Sequence, residues 1–185
     1  MSGHGAGHID PANKKVALLI AVLALVLAFA ETLGKSAQTA ALANHIEASN
    51  TWSFFQAKTV RQTTIRTAAQ EMEAQFGNRA PEAVTKQIES WKKTVERYES
   101  EPETGEGRKE LMAKAKEREA KRDRATAAYH HFELASAAVQ IAIVLASAQI
   151  ITGVAALLWI AYALGGIGIA FSLIGLLWPA AVHIF

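Results

Sequence analysis

"ALVLAFAETLGK", Ala24 to Lys35, ends an apolar run that begins just after Lys14 and Lys15. Its reading decides the fold. As an export signal it offers a basic pair, a hydrophobic core and Ala28-Phe29-Ala30, a small-x-small cleavage pattern that would leave Glu31 as the mature start. As a retained crossing, Val16 to Ala30 supplies fifteen apolar residues, and Glu31, Thr32 and Leu33 bring the segment to eighteen. At about 1.5 Å per residue that spans a bilayer whose ends fit closely. The residues after Lys35, "SAQTAALANHIE", hold neither proline nor glycine and keep reading as helix. A mature N-terminus usually starts loosely, so retention is the reading adopted, with Val16 to Leu33 as the first crossing.

Charge is segregated along the rest of the chain. All 36 charged residues lie between Asp10 and Glu133, and the final 52 residues carry none. That uncharged run is too long for one crossing and fits two, broken at Thr152-Gly153 into Leu134–Ile151 and Ala155–Trp178. A break at Gly165-Gly166 leaves the last crossing short. Trp159, Tyr162 and Trp178 suit the membrane interface, and Pro179 suits a helix end. Small residues from Ala135 to Ala148, with Gly165, Gly166, Gly168 and Gly175 in the last crossing, permit close helix approach. A net charge of +2 does not imply a strong polyanion-binding surface, so nucleic acid is not an expected partner. The absence of cysteine excludes disulfides and thiolate metal sites.

Residues 34–133 form a polar middle. Ala41, His45, Ala48, Trp52, Phe55, Thr59, Gln62, Ile65, Ala69, Met72 and Phe76 follow one another at steps of three and four, a heptad-like seam of coiled-coil type with several polar members. Gly77 and Pro81 stop that helix, and Val84, Ile88, Trp91, Val95 and Tyr98 define the next. "SEPETGEG" is a turn, and a charged helix with a sparse stripe of Leu111, Ala115, Ala125, Tyr129 and Phe132 runs without a breaker into the second crossing. The expected fold is all-α: a flexible tail over 1–15, three transmembrane helices, and a long extramembrane helical hairpin. Lys14 and Lys15 favour a cytoplasmic N-terminus and a hairpin on the periplasmic side, whereas the basic cluster from Lys114 to Arg124 favours the opposite orientation.

Four features are candidate sites. "GHGAGH" with Asp10 has the makings of a weak metal site, but a polar tail explains it better. Tyr129-His130-His131 reads as interfacial residues solvating a helix end. Glu31, at the end of an apolar helix, with Gln140 and Gln149 in the second crossing, forms a candidate intramembrane polar site, and Lys35 one turn on is the expected partner of Glu31. Trp52 and Phe55, with Trp91, make a patch for packing or for a partner. No nucleophile–base pair, phosphate loop or metal spacing occurs, so neither an enzyme nor a cofactor is expected.

Three stretches together resemble a family of small bacterial membrane proteins, domain of unknown function 4337. These are the first crossing with its small-residue extension, "NTWSFFQAKTVRQ" at Asn50 to Gln62, and "AVQIAIVLASAQIIT" at Ala138 to Thr152. The resemblance implies a retained first crossing in a small bacterial membrane protein and carries no catalytic residues. It also implies a short basic turn between the last two crossings, where Thr152-Gly153 has no charge. The expected location is the bacterial inner membrane. The expected role is a non-enzymatic homo-oligomeric membrane scaffold, whose partners are the lipid bilayer and other copies of itself. The alternatives are an accessory subunit docked on another membrane protein and a small ion channel or channel regulator.

Overall fold

The computed structural model describes residues 11–181 of the chain, and every element among them is helical. α1 spans Pro11–Phe76, α2 Glu82–Glu99, α3 Arg108–Thr152 and α4 Ala155–Leu177, with a short 3-10 turn at Gly77–Arg79. α1, α3 and α4 are each long and apolar enough to cross a membrane. The tail motif "GHGAGH" with Asp10 lies outside the described residues.

Helix ends follow local chemistry. Gly77 takes φ 50°, a left-handed conformation that closes α1. The Pro81 carbonyl then accepts the N–H groups of Val84 and Thr85 at 2.9 and 3.0 Å and opens α2. Before α3, the Glu110 carboxylate reaches back to accept the Ser100 hydroxyl at 2.6 Å and the Glu101 N–H at 3.2 Å. At the far end of α3, Gly153 adopts φ 71° and donates its N–H to the Gln149 carbonyl at 2.8 Å, a left-handed helix stop.

The polar middle is not a two-helix hairpin in its own right. It holds one complete shorter helix, α2, and its flanking pieces belong to the same helices that carry apolar runs. The cause lies in the sequence: no glycine or proline falls between Lys35 and Phe76, or between Arg108 and Thr152, so neither helix has a place to break.

The chain divides into two compact units, one built from the chain up to Ala41 together with Asp123 onward, the other from Leu42–Arg122. In the first, Val16 and Leu23 of α1, Val139, Ala142 and Ala146 of α3, and Ala161 of α4 form a buried core. Small residues bring the axes together. A Cβ placed on Gly165 would lie 2.8 Å from Leu23, and one on Gly168 would collide with Val139 and come within 3.1 Å of the Ala135 carbonyl. With no hydrophobic gain between helices in lipid, such contact is what holds a bundle together. The rest of each apolar run faces outward: 17%, 22% and 22% of the three most apolar windows is buried within the chain, leaving the remainder for lipid or another protein.

In the second unit, all the seam positions of α1 are buried or half-buried except the exposed His45. Ile88 is the buried anchor of α2, and Leu111 and Ala115 are those of α3.

Candidate functional site: a polar groove at the end of the membrane spans

Glu31 is the first charged residue after the apolar run of α1, and Glu133 is the last before the uncharged run of α3 and α4. The fold brings these two positions to one groove. It has a volume of about 460 Å³, and Glu31, Lys35, Gln38, Tyr129, Glu133, Ser136 and Gln140 supply its polar lining. Ala30, Gly34, Phe132 and Ala137 supply the apolar part. Close packing of the two helices makes the groove's floor, since a Cβ on Gly34 would sit 3.2 Å from that of Phe132.

The partner of Glu31 differs from the sequence expectation. Gln140 donates its amide to the Glu31 carboxylate at 3.1 Å, across 109 positions of sequence. Lys35 makes no ion pair with Glu31. One helical turn brings these side chains near each other without fixing a contact, while Gln140 projects from the facing helix. Gln149 lies nine residues further along α3, on the order of 13 Å away along the axis, so it does not join this pair. Its amide oxygen is buried without a hydrogen-bond partner.

The histidines also separate. His130 stands 3.6 Å from the Glu133 carboxylate, which the Tyr129 hydroxyl approaches at 3.5 Å. His131 does not solvate the helix end. It is 1% exposed, stacked on Phe171 at 6.1 Å between ring centroids, and its Nδ1 has no hydrogen-bond partner.

A second concentration of polar chemistry lies in the other unit. Trp52 and Phe55 meet edge to face at 5.4 Å, and the Trp52 indole donates to Glu119 at 2.9 Å. Trp91 is half-buried on α2 and forms no ring contact with them. The Arg108 guanidinium lies over Phe55 at 5.2 Å and donates to Glu99 at 2.7 Å, Gln62 at 2.8 Å and Thr59 at 2.9 Å. Gln62, 2% exposed, passes its own amide to the Val95 carbonyl at 2.9 Å and to Glu99 at 3.1 Å. These hydrogen bonds, first that of Gln62 and then the charge of Arg108, hold the Glu99 carboxyl below its ordinary range against the opposing effect of burial. Lys58, 7% exposed, donates to the Glu106 carbonyl at 2.5 Å and pairs with Glu101 at 3.4 Å. Each buried charge here is matched by a partner, the arrangement of a structural clamp.

Nothing in the sequence marks Lys58 or His131 as buried, or Arg108 as half-buried. The burial of Lys58 and Arg108 depends on the turn after α2 folding back over α1, and that of His131 on α4 lying against α3. Among the described residues, no group of three or more His, Asp or Glu side chains is placed to hold a metal ion.

A model of the family called domain of unknown function 4337 matches residues 12–178. The chain belongs to that family. The match takes in all four helices and both polar clusters, so groove and clamp lie within the family's own architecture. No curated protein and no solved structure matches the chain. The protein is thus an all-helical, multi-span membrane member of the family.

Proposed function

We propose that this protein is a non-enzymatic membrane scaffold that assembles with copies of itself in a bacterial inner membrane, its polar middle on the periplasmic side. The observation that supports the reading is an exposed apolar face in the second unit, on the part of α1 beyond its apolar run. In the charged unit, Leu42, Ile46, Phe54 and Val60 of α1 are 59%, 50%, 40% and 66% exposed. At 100° per residue, Leu42, Ile46 and Val60 fall within about 40° of one another. Ser49, Ser53, Thr64 and Thr67 continue the stripe, which has no charged member before Glu71. A second copy can therefore meet it along a two-fold axis without opposing like charges, and small hydroxyl residues let the backbones approach. Exposed apolar surface beside water is the usual mark of a protein–protein contact.

The size of the protein purified in mild detergent tests this reading. A discrete multiple of the chain mass is expected, and Ile46→Lys with Val60→Lys reduces it. A monomer at every concentration overturns the scaffold.

A further inference from the structure

We propose that the groove between α1 and α3 binds the headgroup of an aminophospholipid, with its primary ammonium at Glu31 and Glu133 and its phosphate at Lys35. The inference is independent of self-assembly. Depth is the first consideration. The groove is lined by the charged residues that terminate the uncharged runs, so it opens at the level of lipid headgroups.

Charge is the second. Among the described residues, Glu31 has a neutral amide as its side-chain partner and no cation. A carboxylate at the end of an apolar helix calls for water or a positive partner. Glu133 has His130 at 3.6 Å and the Tyr129 hydroxyl at 3.5 Å, both from its own helix. Lys35 has no ion pair among the described residues. Two carboxylates and one ammonium thus line a single groove, each with capacity for an opposite charge. A zwitterion whose ammonium and phosphate are a few bonds apart complements that set.

The headgroup chemistry narrows the choice. A primary ammonium donates three hydrogen bonds, which two carboxylates can accept. A choline headgroup donates none and favours an aromatic cage, while Tyr129 and Phe132 are the aromatic rings of this groove. A glycerol headgroup brings net negative charge toward two carboxylates. The acyl chains have a bed as well: Ile141 and Val144, 52% and 65% exposed, extend the α3 face of Ala137 and Gln140 into the span.

Native mass spectrometry of the delipidated full chain tests the site, using phosphatidylethanolamine, phosphatidylcholine and phosphatidylglycerol of identical acyl chains. Preferential retention of phosphatidylethanolamine is expected. Glu31→Gln and Glu133→Gln each weaken it by about tenfold, the worth of one charge-assisted hydrogen bond. Lys35→Gln weakens retention of all three lipids, because each carries the phosphate. Equal retention of the three lipids, a preference for phosphatidylglycerol, or a preference that survives both glutamate substitutions overturns the proposal. Should the variants fail to fold, the wild-type chain still decides it: a photoreactive phosphatidylethanolamine in vesicles labels peptides containing Gln38 or Ala137, and labelling confined to other segments refutes the site.

Discussion

Arg108 shows how one side chain can organise a unit. It joins the turn after α2 to α1 and to the end of α2 through Glu99, Gln62 and Thr59, and covers the Phe55 ring. Arg108→Ala leaves the buried Gln62 amide oxygen without its donor and removes the cation from Glu99, so it destabilises the unit by about 1–3 kcal/mol. Circular dichroism during thermal or urea unfolding reads this as an earlier transition, and an unchanged midpoint would show the contacts to be idle. The same cluster sets a pH dependence. The Glu99 carboxyl is held below its unfolded value of 4.5, so its stabilising effect is complete above that value and is lost as pH falls through the lower, folded one. Stability therefore declines below about pH 4.5 as Glu99 protonates, and Glu99→Gln flattens that part of the profile. Glu99 is partly open to solvent, so the slope is gentle and high salt reduces it.

At the scale of elements, glycine does the packing in α4. Gly165, Gly168 and Gly175 are buried, whereas a Cβ added to Gly166 would meet no atom within 4 Å. Gly168→Leu forces α4 away from Val139 and the Ala135 carbonyl, and Gly166→Ala meets nothing while improving helix propensity. Scanning calorimetry in detergent is expected to show a large loss for the first and a neutral or slightly raised midpoint for the second. Equal effects would mean that α4 does not pack through this face. The contrast between the two glycines is absent from the sequence, where both sit in one apolar run. What can be read there is periodic: the crossings, the three-and-four steps from Ala41 to Phe76, and Val84 to Tyr98 are local patterns fixed by helix geometry. What cannot be read joins distant positions. Gln140 reaches Glu31 across 109 residues and Arg118 reaches Glu47 at 2.8 Å, and no local spacing encodes either pair. Lys58 and His131 are illegible for a related reason, since their types signal surface and only the neighbours supplied by other helices bury them.

For the molecule as a whole, two matters govern the architecture: whether "ALVLAFAETLGK" stays in the chain, and which side of the membrane the charged unit occupies. Val16, Leu23 and Ala30 are buried at seven-residue intervals, and the first two share a core with Val139, Ala142, Ala146 and Ala161. Cleavage after Ala30 would strip α3 and α4 of that face and leave a Gly165 surface shaped to receive Leu23. Intact mass of protein isolated from membranes is therefore expected to include the first crossing, and a chain starting at Glu31 would overturn the three-span architecture. Sidedness follows from the crossings and their flanking charge. Lys14 and Lys15 favour a cytoplasmic segment before the first crossing, and on that orientation the first crossing would carry Leu42–Arg122 to the opposite side. The basic cluster near the second crossing argues the other way, but polar segments longer than about 60 residues translocate largely regardless of charge. Lys114 is bonded to the Gly105 carbonyl at 3.0 Å, Arg118 to Glu47, and Lys121 to Glu117 at 2.6 Å, so in the folded chain these cations are engaged within the unit. Because the protein has no cysteine, Lys86→Cys in α2 adds a single thiol on an exposed, ion-paired surface position. A membrane-impermeant maleimide applied to intact spheroplasts is expected to label it. Labelling that appears only after the membrane is opened would invert the topology while leaving the helical fold unchanged.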